Sequence, residues 1–99
     1  KNTLKGEIYM KKYVAAFYEE DKGNYSVFLA DYDAATCGDD INDAREMAKD
    51  ILSIYIEDEG AREPKDINEV DLAELYTERT GLKLTERELL KAHKEYIAV

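Results

Sequence analysis

The chain is poor in residues that staple, punctuate or catalyse. Its single cysteine, Cys37, rules out an internal disulfide and a cysteine-rich metal site, and suits a reducing compartment. There is one proline, Pro64, and no tryptophan. The lone histidine, His93, comes with no nucleophile or second base that the sequence sets beside it, as catalysis would require. No Gly-rich phosphate loop, Cys-x-x-Cys pair or His-x-x-x-His spacing occurs. Basic residues number 14 against 23 acidic ones and are scattered, so no basic-aromatic patch for nucleic acid is visible. The longest apolar run, Tyr13 to Tyr18, is far too short to span a bilayer, and no signal-peptide pattern precedes it. A cytoplasmic location is the default, with no membrane partner.

What remains is ample for a small fold. The 99 residues are 44% hydrophobic and 37% charged, with eight tyrosines, which suits one domain with a modest core. A domain this small buries only roughly 60–65% of its unfolded surface, so a partner or a second copy would add noticeably to stability. A homo-oligomer is therefore expected. The formal net charge of −9 repels phosphate backbones and attracts basic partners. The plainer reading, that acidity only keeps the chain in solution, stands beside it.

Residues Lys12 to Glu19 mix aromatic and small apolar side chains without clean alternation, which predicts a strand covered on both faces. Asp21-Lys22-Gly23-Asn24 carries turn chemistry. Beyond it, Tyr25, Val27 and Leu29 alternate with smaller or polar residues, giving the second strand of a hairpin, although Phe28 breaks the polar side. Asp31-Tyr32-Asp33 reads as a bend and Ala34–Cys37 as a short third strand ended by Gly38-Asp39.

Asp40 then caps a long helix over Ile41–Asp58, with Asp39, Asp40 and Asp43 favouring its positive end. Ile41, Ala44, Ala48, Ile51, Leu52 and Tyr55 form its buried stripe. Met47 and Ile54 widen that stripe and hint at a second contact surface. Gly60 ends the helix. After Pro64, Asp66 is expected to cap a helix over Val70, Leu72, Ala73, Leu75 and Tyr76 that stops near Thr80-Gly81. Thr85 and Glu88 form a capping box opening a short helix through Leu89, Leu90 and His93. Glu95 to Val99 reads as a final strand. An apolar strand is a poor free terminus unless paired, so continuation past Val99 is an expectation, as is a natural start at Met10.

Catalytic readings are weak. Asp31, Asp33, Asp39, Asp40 and Asp43 are dense enough to suggest a metal-dependent nuclease, but turns and helix starts use aspartate for structural reasons. Cys37 is expected to be a small buried residue rather than a nucleophile. Phe17 and Phe28 are read as core. Tyr32, between Asp31 and Asp33, is read as an exposed aromatic anchor with an acidic rim, suited to a basic target.

Two phrases carry a family resemblance. Tyr13-Val14-Ala15-Ala16-Phe17-Tyr18 leading through Gly23-Asn24-Tyr25-Ser26-Val27, and Cys37-Gly38-Asp39-Asp40 leading into a helix with Ala44 and Ala48, resemble HicB-like antitoxins. The resemblance covers about Met10 to Gly60. Two departures stand out. The family's Pro-Asp-Leu-Pro-Gly-like phrase reads here Ala30-Asp31-Tyr32-Asp33-Ala34-Ala35, and Pro64–Lys94 is longer than the usual connection.

The resemblance implies an α+β fold of partial ribonuclease H-like type: a three- to four-stranded antiparallel sheet with one long helix on a face. The 99 residues form one domain, with a core over 10–60, a helical insertion over 64–94 and a final strand over 95–99. It implies an antitoxin of a type II toxin–antitoxin pair that occludes a small basic HicA-like mRNA-cleaving toxin. No catalytic residue, metal or cofactor is implied. Asp31, Tyr32 and Asp33 are the expected partner contacts. Relatives often add a module for operator DNA, but from Gly60 onward 7 Lys/Arg face 9 Asp/Glu, which is wrong for a DNA reader. The alternatives are a HicB-like oligomeric interaction module without a toxin and, behind it, the metal-dependent nuclease.

Overall fold

Side-chain alternation sorts the first two strands onto two faces. In β1 (Lys12–Glu19) the side chains of Tyr13, Ala15 and Phe17 enter one apolar cluster and those of Val14, Ala16 and Tyr18 another. In β2 (Tyr25–Leu29) Tyr25, Val27 and Leu29 join the first cluster and Phe28 the second. A computed structural model describes residues 11–99 and shows what covers each face. The expected start of the core at Met10 lies outside the described residues.

The sheet is antiparallel with strand order β3-β2-β1-β4, where β3 is Ala35–Gly38 and β4 is Ala92–Ala98. Between β1 and β2 the chain turns through a single 3-10 turn over Asp21–Gly23, and Gly23 takes φ 81°. That angle favours glycine because a Cβ would crowd the neighbouring carbonyl.

On the first face lies α1 (Ile41–Glu59). The Asp40 carboxylate accepts from the Asp43 N–H, as the aspartate-rich start predicts, and Gly60 closes the helix through its own N–H to the Ile56 carbonyl. Ala44, Ala48 and Leu52 are fully buried against Ala15, Phe17, Val27 and Leu29. Two alanines at the contact let the helix axis lie close to the sheet.

The second face is covered by the segment after Pro64. A 3-10 turn over Ile67–Glu69, then α2 (Leu72–Thr80) and the five-residue α3 (Glu86–Leu90), bring Ile67, Val70, Leu72, Leu75, Tyr76 and Leu84 onto Val14, Ala16, Tyr18 and Phe28. The fold is thus α+β in three layers, with the sheet in the middle. This explains Phe28: its side of β2 is not solvent but a second core.

Polar groups bind that outer layer to the sheet. The Tyr18 hydroxyl donates to the Leu72 carbonyl at 2.8 Å, and the Lys94 ammonium to Val70 at 2.6 Å. The Ile67 N–H donates to the Tyr96 hydroxyl, and Arg79 donates to the Leu29 carbonyl at 2.6 Å. Among the described residues no helix is long and apolar enough to cross a membrane.

Several expectations need correcting. Asp66 caps the 3-10 turn rather than α2, and Asp71 caps α2. The last strand begins at Ala92, not Glu95, because its pairing runs on to Phe17↔His93 and Tyr18↔Ala92. His93 therefore belongs to the strand, and the Thr85–Glu88 capping box opens a helix that ends at Leu90. Cys37 is exposed, not buried, because β3 is an edge strand and its side chain takes the open position.

Burial also sets the alkaline limit of stability. Desolvation pushes the Tyr13 phenol up to about 12, and raises Tyr18 and Tyr76 as well. A raised phenol stabilises the fold fully below the unfolded value near 10, and that contribution disappears as pH climbs toward the folded value. The expected result is a denaturation midpoint that falls from about pH 10 upward. Tyrosinate absorbance should lag a free-tyrosine titration until unfolding sets in. Tyr13 and Tyr18 titrating at the ordinary value in the folded protein would contradict this.

Candidate functional site

Three residues were expected to meet a partner: Asp31, Tyr32 and Asp33. The fold separates them. Tyr32 is 1% exposed and Asp31 8%, while Asp33 faces solvent. The reading of Tyr32 as an exposed anchor is therefore corrected. The bend turns its aromatic ring inward, where it lies 5.7 Å from the Tyr13 ring and 6.1 Å from that of Tyr55.

What the sequence did not reveal is the clasp that holds it there. The connection after α1 crosses the end of the sheet, and its polar groups engage the bend. The Tyr32 hydroxyl donates to the Gly60 carbonyl at 2.9 Å and accepts from the Arg62 N–H at 3.1 Å. The Tyr13 hydroxyl donates to the Arg62 carbonyl at 2.7 Å. The Arg62 guanidinium lies 4.6 Å from the Tyr32 ring centre, donates to the Asp31 carbonyl and pairs with Glu59. The Asp31 carboxylate accepts from the Lys65 N–H, and the Lys65 ammonium reaches the Ala30 carbonyl. Asp31 and Tyr32 thus close a structural clasp across about thirty residues of chain. Only a basic pair, Arg62 and Lys65, in an otherwise acidic stretch hinted at it.

Two of the other candidate carboxylates have comparable duties. Asp40 accepts from the Asp43 N–H, and Asp43 accepts from the Asp39 N–H. Among the described residues no group of three or more His, Cys, Asp or Glu side chains is disposed to hold a metal ion. His93 stacks on Phe17 with ring centres 5.0 Å apart and meets Glu95 at 2.7 Å. Glu95 also receives the Arg45 guanidinium at 2.8 Å, and those hydrogen bonds hold its carboxyl below the usual glutamate range. This triad fastens α1 to β4. A cavity of ≈ 320 Å³ lies between Ala30 and α2, rimmed by Glu69, Asp71, Glu74 and Glu78. Two of those carboxylates, Glu69 and Asp71, already bond to backbone N–H groups at helix starts.

Among the described residues, two of the open surfaces adjoin the long helix and the last strand. One is the outer flank of α1, where Met47 is 39% exposed and Ile54 54%. The other is the outer edge of β4. Val99 N–H donates to the Lys11 carbonyl and Glu19 N–H to Lys91, so odd-numbered β4 residues bond to β1. By alternation, the backbone groups of Ala92, Lys94, Tyr96 and Ala98 then point outward along the edge.

Comparison with protein-family models, with curated proteins and with solved structures returns no match.

Proposed function

We propose that the chain is a non-catalytic binding protein of HicB-like type, the antitoxin of a type II pair, acting in the cytoplasm by covering a small basic mRNA-cleaving toxin. The observation that carries this reading is the pairing of two features. The Tyr13–Gly60 phrases resemble that family, and they lie on a hairpin, an edge strand and a capped helix. Supporting it, the formal net charge of −9 suits capture of a basic partner by charge complementarity and steric occlusion. Three of the five carboxylates that a nuclease reading would draw on, Asp31, Asp40 and Asp43, accept from backbone N–H groups.

The test is co-expression with the adjacent small basic reading frame, followed by co-purification. The expected outcome is rescue of growth and a stable complex whose association slows as salt rises. A toxic neighbour that is neither bound nor rescued removes the antitoxin reading. A second reading, an oligomeric interaction module without a toxin, draws on the outward-facing backbone of β4, which offers a second copy a strand to extend. A gene neighbourhood without a small basic reading frame favours that one.

A further inference from the structure

Helical spacing picks out a line of residues along the outer flank of α1. Asp43, Met47, Asp50, Ile54 and Asp58 follow one another at intervals of four, three, four and four, so they share one stripe. The stripe alternates acidic and apolar side chains over nearly the whole helix. Met47 and Ile54 are among the largest exposed apolar side chains described, although Ala44, Ala48 and Leu52 of the same helix are fully buried. The helix's two basic residues, Arg45 and Lys49, each stand two positions from Met47, about 200° round the helix. Arg45 is moreover held by Glu95 on β4. The stripe therefore looks away from β4, with no cation of its own helix beside it.

Scattered exposed apolar residues need no explanation. Two of them bracketed by three carboxylates on one rigid helix are a different matter, because the two kinds of group ask for one kind of partner. Apolar anchors supply affinity once water is excluded, and surrounding carboxylates steer and orient a cationic surface. An anionic, nucleic-acid or membrane-surface partner would meet repulsion here.

We infer that the Asp43–Met47–Asp50–Ile54–Asp58 stripe of α1 is the docking surface for a basic protein, one that presents apolar side chains flanked by lysine or arginine. This rests on the binding function proposed above and assigns that function to α1 rather than to the Asp31–Asp33 bend. Asp31 and Tyr32 are occupied by the clasp, whereas Met47 and Ile54 stay exposed among the described residues.

The experiment uses the full chain and the purified product of the adjacent small basic reading frame, with affinity measured by titration calorimetry and rates by surface binding. The Met47→Gln/Ile54→Gln double variant removes the apolar anchors without changing charge and keeps good helix formers at exposed positions, so its melting point should match that of the unaltered chain. It should weaken the Kd by about 100-fold. Asp50→Lys/Asp58→Lys should lower the association rate about tenfold at low salt, with the difference shrinking at high salt. Asp33→Lys should leave the Kd within about threefold, as expected of a rim charge or none.

Unchanged binding by the Met47/Ile54 variant, with loss in Asp33→Lys, overturns this surface while leaving the antitoxin reading intact. No binding by the unaltered chain removes that reading and the surface with it. Sedimentation completes the test. If the Met47/Ile54 variant dissolves a self-assembled oligomer without altering partner affinity, the occupant is a second copy and the inference is wrong.

Discussion

Gly38→Ala is expected to be the most damaging methyl addition among the described glycines. Gly38 closes β3 opposite Tyr25, and only Asp39 and Asp40 separate it from α1. The short corner folds the first turn of the helix back onto the strand. A Cβ at Gly38 would stand 2.9 Å from the Ala44 Cβ and closer still to the Ala44 backbone N and Cα. Backbone atoms cannot rotate out of the way, so relief requires moving the helix off the sheet. Ala44 is itself fully buried, so that movement would open the main core.

The expected cost is at least about 3 kcal/mol, at the upper end of overpacking effects. Against a total stability of about 5–15 kcal/mol for a small domain, much of the population would unfold on mild warming. Gly23→Ala provides the contrast. Gly23 sits at φ 81° with open space around its Cα, so alanine there meets only torsional strain of about 1–2 kcal/mol. Urea denaturation followed by circular dichroism should rank Gly38→Ala well below Gly23→Ala. The reverse order would mean that α1 does not press on Gly38 as described.

Tyr32→Ala should rank close behind. The ring fills the core between Tyr13 and Tyr55, and its loss would leave a cavity costing about 3–5 kcal/mol. Tyr32→Phe keeps the ring and removes only the hydroxyl. The Gly60 carbonyl and the Arg62 N–H would then lose their partner, at a cost of about 1–3 kcal/mol. Asp33→Ala, next door but solvent-facing, should stay within about 0.5 kcal/mol.

Hydrogen exchange should localise the effect of Tyr32→Phe to the stretch 60–65. A binding defect in Tyr32→Ala would then follow the fraction folded and vanish under conditions that restore folding. If Tyr32→Phe matched the unaltered chain in both stability and exchange, the clasp would carry no weight.

These contrasts mark where the amino-acid order was legible. Several helix boundaries are legible because their chemistry is local: Asp40 before α1, Gly60 after it, and the Thr85–Glu88 box before α3. An N-cap needs only an oxygen and an N–H two or three residues apart, so no distant contact can overrule it cheaply. The two-faced burial of β1 was legible for a related reason, since both sets of alternating side chains are apolar or amphipathic. Asp71 was missed as the cap of α2 because Asp66, five residues earlier, offers the same chemistry. The start of β4 was missed because His93 and Ala92 fit a helix as readily as a strand until β1 pairs with them.

The candidate site was less legible. Tyr32 between two aspartates carries every local sign of exposure. Its burial is decided by Arg62 and Lys65, about thirty residues on, whose groups neutralise and bond the bend. Met47 and Ile54 did stand out in the sequence as a widening of the apolar stripe. Only the fold shows that they stay exposed among the described residues.

Local order thus determined the element types, their caps, the acidic character and the absence of catalytic motifs, because each depends on neighbours within a few residues. Which layer covers the second face of the sheet, that the bend's tyrosine turns inward, and that one flank of α1 stays open were decided by the tertiary structure alone. The reason is that burial is a property of what packs against a residue, and the packing partners here lie 30 to 54 positions away along the chain.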